Sequence, residues 1–510
     1  MCGIVGAYGG MDQETASRML ARVSHRGPDD QGQIEVAGNV LGHRRLSIVD
    51  VEGGGQPLVT PDGDLYLVGN GEIYNHEEIR ETLRDGDLET RSDNEVALRL
   101  VSERGPDALS KLLGMFAFLI ARKDGTFLAA RDPVGIKPLY WARQNGHVRF
   151  ASEMSAFDEE WQPHVASFPP GHYWTPEGGL VEFGRPVPPK EDLESFQGPS
   201  EPGAPIPEDI LRQVRDRLVR TVNRQMMGDV PVGVFLSGGL DSSLVAAITA
   251  RWYEERGERL KTFAVGLEDS PDLLAARAVA EHLGTEHHES VYTAEDALRV
   301  LPTVVRTIES FDPSLVRSAV PNYILAEFTA RHVKVVLTGE GADEIFAGYE
   351  YLEDFRTEED LHVELVRTIK GLHDLNLQRA DRVTMAHGLE ARVPFLELDM
   401  ISLGLSLPAG WKLAGEDQPE KRLLRMAFEG WLPDDFLWRK KAQFGDGSGA
   451  ASVLQDRMEE SVTEEEFERE RHEVEPPLRT REEVAYYRIF AEVLGGIRPG
   501  RTISRFATAA

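Results

Sequence analysis

The feature that most constrains this sequence is its only cysteine, Cys2, which directly follows the initiator methionine. Removal of Met1 would leave one residue that carries both a thiol nucleophile and an α-amine able to activate it. An α-amine titrates near about 8, so part of it can take the thiol proton near neutral pH. The apolar pair Ile4 and Val5 predicts a buried strand that fixes the thiol. A buried cysteine without chemistry is the alternative, and the motifs downstream bear on that choice.

Length and composition restrict the classes of protein to which the chain can belong. At 510 residues it exceeds one ordinary core, so we expect two or more domains. A single cysteine excludes an intramolecular disulfide framework. We find no run of about 18 apolar residues and no signal-peptide pattern, and we therefore expect a cytoplasmic protein. The net charge of −30 repels nucleic acid and anionic lipid, so we expect neither nucleic acid nor a membrane as partner.

The first 190 residues are rich in short β-type segments that end at glycine, aspartate or Lys-Asp-Gly. With two segments of helical periodicity, they predict stacked sheets flanked by helices. The strand segments are 38–43, 65–68, 116–120 and 126–130, and the helical segments are 12–23 and 95–103. Several polar motifs here are too specific to be turns alone, namely 25–29, 45–50, 70–75, 92–95, 131–140 and 151–153.

Together with Cys2, these polar motifs resemble the glutaminase domain of class II glutamine amidotransferases, an N-terminal nucleophile hydrolase family. The resemblance runs in order through residues 1–190 and implies a four-layer αββα sandwich. It also implies that Cys2 attacks the side-chain amide of glutamine, which gives a γ-glutamyl thioester and ammonia.

The same resemblance implies a glutamine site at matching positions. Asn70-Gly71 alone would be typical of a tight turn, but here the Asn70 side chain and the Gly71 N–H should form an oxyanion hole. Arg45 should bind the α-carboxylate of glutamine through its planar set of donors, and Asp93 should bind the α-ammonium. The other implied pocket residues are Glu72 and the main chain of Leu46, Ser47, Ile48 and Val49.

A stretch rich in proline, glycine and glutamate separates the two halves of the chain. Residues 191–207 show no sustained periodicity and predict an extended linker. A long helix is expected from Pro207 to about Met227. We therefore place a second domain at residues 208–510.

The second half opens with the apolar strand 230–236, the segment Ser237-Gly238-Gly239-Leu240-Asp241-Ser242 and a helix. Backbone N–H groups and the helix dipole would make this turn an anion site, whereas a bare Gly-Gly turn is the alternative. The usual phosphate loop is excluded because no Gly-Lys-Ser/Thr follows. Strands at 261–267 and 333–337 alternate with helices and predict a doubly wound parallel sheet with ligands at its carboxyl ends. We interpret His287-His288-Glu289 as alternating strand residues rather than as a metal site.

The glycine-rich segment resembles the pyrophosphate-binding loop of enzymes that adenylate a substrate with ATP. With segments 381–396 and 439–447, the second half resembles the synthetase domain of the asparagine synthetase family, so the match covers almost the whole chain. The resemblance implies that Asp241 reaches Mg²⁺. The implied ATP contacts are Leu236 and Val265 beside the adenine, Gly339 near the ribose with Thr338 before it, Lys441 at the pyrophosphate, and Ser237, Gly238, Gly239, Asp241 and Ser242 at the β and γ phosphates.

The resemblance also implies the reaction, which is synthesis of asparagine from aspartate, ATP and glutamine. β-Aspartyl-AMP and pyrophosphate form first, and ammonia then displaces AMP. Glu340 is the expected general base, Asp343 assists nearby, and Arg317 is expected to contact aspartate or phosphate. Ser314 and Leu315 stand where the family often has two threonines, which leaves the aspartate contacts open.

Ammonia must pass between the two sites without protonation in water, and the family's solution is an intramolecular tunnel. Arg26 and Met115 fall at positions expected near its glutaminase end. A homodimer is one open alternative for the assembly.

Other interpretations share parts of the pattern. A related amidotransferase could amidate a different carboxylate, whereas β-lactam-forming synthetases generally lack a working Cys2. A non-catalytic descendant should have lost one of the key residues, yet Cys2, Asn70, Asp241, Glu340 and Lys441 are all present. Amidotransferases that make sugar phosphates or purine precursors share only the first domain.

Overall fold

The computed structural model describes residues 2–84, 88–194, 196–268, 270–355, 357–415, 418–439 and 451–506 of the chain. Over these residues it contains two antiparallel sheets and one parallel sheet. No helix in these ranges is both long enough and apolar enough to cross a membrane.

The first half forms two six-stranded antiparallel sheets within the described residues. The strands are β1 Cys2–Tyr8, β2 Asp30–Val36, β3 Asn39–Arg45, β4 Leu58–Val59, β5 Leu65–Ile73, β6 Gly114–Arg122, β7 Phe127–Arg131, β8 Tyr140–Gln144, β9 His147–Ala151, β10 Val165–Ser167, β11 His172–Thr175 and β12 Gly179–Glu182. The strand order is β10-β8-β9-β1-β3-β2 in the first sheet and β12-β11-β7-β6-β5-β4 in the second. The helices of this half are α1 Gln13–Arg22, α2 His76–Arg80 and α3 Asp93–Arg104.

Alternation of side chains along each strand builds four layers. Ile4 of β1 packs between the two sheets with Val68 of β5, whereas its neighbour Val5 packs on the opposite face with Met19 of α1. On the second sheet, Phe118 packs on the outer face together with residues of α3. Helices therefore cover the outer face of each sheet, and the predicted αββα sandwich is confirmed.

The structure corrects the predicted position of the Asn70-Gly71-Glu72 motif. Sequence periodicity ended the strand at residue 68, but β5 continues to Ile73, and Asn70 lies opposite Ala117 of β6. Pairing with the long apolar strand β6 keeps these polar residues extended, which their local turn preference could not reveal. The motif therefore lies inside a sheet with its side chains fixed.

The second half forms a five-stranded parallel sheet within the part of the chain that the structure describes. Its strands are β13 Val232–Phe235, β14 Lys261–Gly266, β15 Glu286–Val291, β16 Val335–Leu337 and β17 Glu390–Arg392. The order is β15-β14-β13-β16-β17, so the chain reverses its winding direction between β13 and β16. A crevice opens at the carboxyl ends of strands where the winding reverses, and the predicted doubly wound sheet is confirmed with its ligand edge there.

Helices pack around this sheet and continue to the end of the described chain. They are α4 Glu208–Arg224, α5 Leu240–Glu254, α6 Pro271–Leu283, α7 Ala294–Ile308, α8 Pro313–Thr329, α9 Ala342–Ile345, α10 Glu358–Gly371, α11 Asn376–Met385, α12 Leu398–Ser406, α13 Ala409–Lys412, α14 Arg422–Ala427, α15 Asp434–Leu437, α16 Ala451–Glu460, α17 Glu464–Glu470 and α18 Arg481–Leu494. Helix α4 ends at Arg224, three residues before the predicted end near Met227.

The two halves are joined by a buried interface that contains charge. Arg26, on the turn after α1, has no solvent exposure, and its Nη1 lies 2.8 Å from both Glu153 and Asp381 of α11. Arg382 of the same helix lies 3.6 Å from Glu153 of the first half and 3.2 Å from Glu309 of its own half, and its side chain is about 1% exposed. Buried charges are tolerated only when they are paired, so the ion pairs require the two halves to stay together.

Replacement of Asp381 tests this interface. Asp381→Ala removes one of the two carboxylates that face Arg26, and loss of one partner of a buried ion pair typically costs about 3–5 kcal/mol. We expect a marked fall in the urea midpoint of the chain. Asp354→Ala, at an exposed position, is the matched control and should leave the midpoint unchanged. Equal midpoints for the two variants would contradict a stabilising role for the interface charges.

Candidate functional site

Cys2 begins β1 and lies opposite Arg45 of β3. Its backbone nitrogen donates to Asn70 Oδ1 at 2.9 Å, and Arg26 Nε donates to its carbonyl oxygen at 3.0 Å. Burial raises the pKa of the Cys2 thiol, and the backbone N–H of Leu46 partly opposes this effect. Because the thiolate is the reactive form, the site needs a base beside the thiol.

The predicted oxyanion-hole residues Asn70 and Gly71 lie side by side in β5. The Asn70 Nδ2 atom is buried, and no described residue accepts a hydrogen bond from it. A buried donor without a partner costs about 1–3 kcal/mol, so it marks a position where a ligand oxygen belongs. Gly71 is required sterically, since a Cβ there would lie 1.9 Å from the carbonyl oxygen of Met115. The side-chain donor thus lies next to a backbone position that requires glycine.

Arg45 braces the loop that follows β3. Its guanidinium donates to the carbonyl oxygens of Val49, Asp50 and Val51 at 3.2, 2.7 and 3.1 Å respectively. These bonds hold the loop in a fixed shape beside Cys2. The binding of a ligand carboxylate by Arg45 stays a prediction.

The predicted pocket loop of Leu46, Ser47, Ile48 and Val49 lies between the two halves of the molecule. The Ser47 N–H donates to Asp29 Oδ2 at 2.8 Å, and the Ile48 carbonyl accepts from the Asp229 N–H at 2.9 Å. Lys334 of the second half completes the contact with Asp29 at 2.7 Å. The loop that should line the glutamine pocket is therefore in direct contact with the second half of the chain.

Two acidic side chains complete the first centre. Asp93, at the start of α3, accepts from the Ile73 N–H at 2.7 Å and from Asn94 Nδ2 at 3.0 Å. Glu72 lies 3.8 Å from Arg392 of β17, and no described residue hydrogen-bonds its Oε2 atom. Burial raises the pKa of both carboxyl groups. Glu72 lies in β5, two residues after Asn70, and Asp93 is bound to the end of the same strand.

The second centre begins with the turn between β13 and α5. Ser242 Oγ accepts from the Ser237 N–H at 3.2 Å and donates to the Gly239 carbonyl at 3.1 Å, which closes the turn on itself. Gly238 has φ of +70°, and a Cβ there would lie 2.5 Å from Ala275 Cβ. The turn is therefore a tight, fixed loop at a helix N-terminus, the arrangement that binds anions through backbone N–H groups.

The loop after β16 packs directly on this turn. A Cβ at Gly339 would lie 2.8 Å from Asp241 Cβ, so only glycine permits the close approach. Thr338 precedes it and joins the neighbouring strand through a backbone hydrogen bond of 3.0 Å. Leu236 and Val265 are buried where β13 and β14 end. The structure thus brings the predicted ATP residues that it describes to one edge of the sheet.

Lys421 is a residue of this centre that the sequence did not reveal. Its Nζ atom lies 2.5 Å from Asp241 and 2.6 Å from Asp343, and the side chain is 1% exposed. Burial disfavours its charge, but the two carboxylates together raise the pKa of Lys421 well above its usual range. Lys421 precedes the short helix α14 and is 180 residues from Asp241 in sequence, so no local pattern links them.

Glu340 forms an ion pair with Arg379 of α11, and Arg379 Nη1 also donates to Ser318 Oγ at 2.8 Å. Arg379 is thus a second residue that the sequence did not indicate. The predicted acceptor contact, Arg317, forms an ion pair with Glu482 of α18 at 2.7 Å. The structure therefore uses Arg317 to anchor α18, and the arginine that meets Glu340 is Arg379.

Glu344 is a buried carboxyl group next to these residues. Tyr349 donates to its Oε1 atom at 2.6 Å, and Asn376 Nδ2 donates to the same atom at 3.1 Å. Burial, with a smaller effect of Asp343, raises the pKa of Glu344 to about 7. The group can therefore exchange a proton near neutral pH. The sequence showed that Glu344 ends the loop from Glu340 to Glu344, but it did not indicate that Tyr349 is its hydrogen-bond partner.

The residues fit a magnesium ion that arrives with a nucleotide. No group of three or more described His, Cys, Asp or Glu side chains could hold a metal alone. Asp241 Oδ1, however, is buried without a hydrogen-bond partner among the described residues. Mg²⁺ is commonly held by one or two carboxylates together with substrate phosphates and water, and Asp241 beside Asp343 suits that mode. Lys441, the predicted pyrophosphate contact, lies outside the described residues.

The fold and the two candidate centres define a class of protein, an amidotransferase-like αββα sandwich joined to a domain with a doubly wound parallel sheet. A family model described as a glutamine amidotransferase domain matches residues 1–171, and one described as asparagine synthase matches residues 213–357 and 352–495. The chain belongs to the glutamine-hydrolysing asparagine synthetase family.

Curated relatives match along nearly the whole chain. A probable glutamine-hydrolysing asparagine synthetase of Dictyostelium discoideum is 38% identical and covers 99% of this chain and 96% of its own length. A probable counterpart of Schizosaccharomyces pombe is 39% identical, with 97% and 93% covered. Glutamine-hydrolysing asparagine synthetase 3 of Arabidopsis thaliana is 40% identical, with 91% and 82% covered.

The contacts of Lys421 generate a prediction for the second centre. Lys421→Met removes the charge with little change in length, so Asp241 and Asp343 are left facing each other and the site loses a cation for phosphate. We expect ATP consumption to fall by about 100-fold with either nitrogen source, the usual effect of losing one such charged donor. Glutaminase activity should stay within about twofold, because Lys421 does not touch the first centre. Lys123→Met, at an exposed position, is the control, and unchanged ATP consumption in Lys421→Met would show that the assignment is wrong.

Proposed function

We propose that this chain is a carbon–nitrogen ligase that makes asparagine from aspartate, with ATP as the activating substrate and glutamine as the nitrogen donor. The observation that supports this best is that both centres are assembled in one molecule, with Arg26 in contact with the Cys2 carbonyl and with Asp381 of α11. Family membership supports the same pairing of a glutaminase with a synthetase.

In the first half-reaction, the Cys2 thiolate attacks the side-chain amide carbon of glutamine. Asn70 Oδ1 already holds the Cys2 nitrogen, so after removal of Met1 it would orient the free α-amine that takes the thiol proton. The oxygen that gains charge would accept from the unpaired Asn70 Nδ2 and from the Gly71 N–H. Ammonia leaves with the proton, and water then hydrolyses the thioester to glutamate. Arg45 and Asp93 are proposed to bind the α-carboxylate and α-ammonium of glutamine.

In the second half-reaction, the β-carboxylate of aspartate attacks the α-phosphorus of ATP, and pyrophosphate leaves. The turn from Ser237 to Ser242 is proposed to bind the β and γ phosphates, and Lys421 supplies a positive charge beside them. Mg²⁺, held through Asp241, would neutralise charge on the departing pyrophosphate when it is bound. Lys441 is proposed to add a further charge.

Ammonia then attacks the acyl carbon of β-aspartyl-AMP, and AMP leaves. Glu340 is proposed to take the proton from the attacking ammonia, because it follows the strand end that faces the nucleotide turn. Arg379 fixes the orientation of this carboxylate. Asp343 and Arg317 remain proposed contacts of the acceptor, although Arg317 would first have to leave Glu482.

Several wider features of the protein are part of the same proposal. We propose domain limits at 1–190 and 208–510 with a linker at 191–207, and a cytoplasmic location. The net charge of −30 disfavours nucleic acid and anionic membranes as partners. A homodimer stays an open prediction.

Replacement of Cys2 tests whether the first centre only supplies ammonia and the second centre makes the amide. Cys2→Ala should abolish glutamine-dependent asparagine synthesis, with a loss on the order of 10³-fold or more, because no other residue replaces the thiol. Synthesis with ammonium salts should stay within about twofold, since Cys2 serves only the first centre. Product would be measured by mass spectrometry with aspartate, glutamate and succinate offered in parallel as acceptors and ¹⁵N-ammonium as the nitrogen source.

Two outcomes would contradict the proposal. Equal loss of the glutamine-dependent and ammonia-dependent activities would show that the centres are not separate. Amidation of another offered carboxylate in preference to aspartate would show that the acceptor is wrong. Lys123→Ala, remote from both centres, is the control for nonspecific loss.

A further inference from the structure

A cavity of about 540 Å³ lies between the two halves of the molecule, away from both centres. One wall comes from the loop before β11, a second from the segment 184–190 that leaves the first half, and the third from α10 with His362, Val366 and Lys370. The volume falls in the range of about 300–1,000 Å³ that is typical of small-molecule sites, which often lie at domain interfaces. None of the residues placed in the two centres lines it.

The charge of this cavity is opposite to that of the whole chain. The chain has 56 Lys and Arg against 86 Asp and Glu. The cavity is lined by Arg185, Lys190 and Lys370, with Glu182 as the opposing acidic residue, and by three histidines. Glu182 and Glu359 offset two of the three cations, so Lys370 is the group left to attract an anion at this place.

The cationic groups are accessible to a ligand. Lys370 is exposed on α10 and makes no ion pair with any described residue. Arg185 pairs with Glu182, and Lys190 pairs with Glu359, but both pairs are more than one-third exposed on each side. Exposed pairs in water are weak, so a ligand anion can exchange for either carboxylate.

The apolar part of the wall is unusually rigid. Five prolines line it, at positions 169, 170, 186, 188 and 189, together with Val134 and Val187. Proline has a fixed φ, so the wall has little conformational freedom to lose when a ligand binds. The C–H groups of proline rings offer an apolar surface against which a planar ring can pack. A rigid apolar wall with cationic side chains in the same lining suits a ligand with a flat body and a charged end.

We propose that this cavity is a binding site for an organic phosphate with a flat ring, of the class of a nucleoside monophosphate, and that it is separate from the ATP site. The phosphate lies at the rim with Lys370 and Arg185, and the ring packs against the proline wall. Because both halves of the molecule contribute walls, the bound ligand bridges them. The site is independent of the reaction proposed for the two centres.

Calorimetric titration of the full-length protein with uridine monophosphate tests the site. We expect one binding event per chain, and charge reversal in Lys370→Glu should weaken it by tenfold or more. Lys123→Glu makes the same charge change at an exposed position elsewhere and should bind like the native protein. Lys421→Met, which alters the nucleotide turn, should also bind like the native protein. Uridine and inorganic phosphate should each bind at least tenfold more weakly, because each lacks one half of the ligand.

Each contrary result overturns the proposal in a defined way. Absence of binding at millimolar uridine monophosphate removes the site. Equal affinity of Lys370→Glu and native protein places the ligand elsewhere, and loss of binding in Lys421→Met places it at the ATP turn. Inorganic phosphate that binds as tightly as the nucleotide shows that the proline wall has no part in recognition.

Discussion

The arrangement of this protein depends on one buried cation, the guanidinium of Arg26. It donates to the carbonyl oxygen of Cys2 at 3.0 Å, and it is neutralised by Glu153 of its own half and by Asp381 of the other. A guanidinium with no solvent exposure is tolerable only with such partners, so Cys2, the αββα sandwich and the second domain are held by the same set of contacts. The backbone position of Cys2 is therefore set partly by the domain that does not carry it.

Helix α11 carries this link to the second centre. Asp381 faces Arg26, while Arg379, two residues earlier and thus about 200° away around the helix, faces Glu340. This short helix therefore lies between the proposed nucleophile and the proposed base. One face contacts Cys2 through Arg26, and the other contacts Glu340 directly. Met115, which is expected near the glutaminase end of the tunnel, is fully buried near the Gly71 backbone. The tunnel that the family resemblance implies would have to pass this helix.

Features that depend on neighbouring residues in the sequence were predicted, whereas contacts between residues far apart in the sequence were missed. Alternating and apolar strand segments, with loops that follow strand ends, were enough to predict stacked sheets in the first half, a parallel sheet in the second half and the turn from Ser237 to Ser242. Lys421 and Arg379 were missed because their meaning comes from carboxylates 180 and 39 positions away. Arg317 was chosen from a motif, whereas a partner on α18, 165 residues on, determines where its charge lies. The strand before Asn70 was predicted to end at residue 68, because local periodicity could not reveal that pairing with β6 extends β5 to Ile73.

The transfer of ammonia inside the molecule is tested most directly by isotope partition. Glutamine labelled with ¹⁵N in its side-chain amide would be supplied with aspartate, ATP and an excess of unlabelled ammonium at a pH where free ammonia is scarce. Mass spectrometry of the asparagine then reports the source of its nitrogen. Direct transfer predicts far more ¹⁵N in the asparagine than in the ammonium pool of the solution. Equal enrichment of the asparagine and of that pool would show that ammonia escapes to water before it is used.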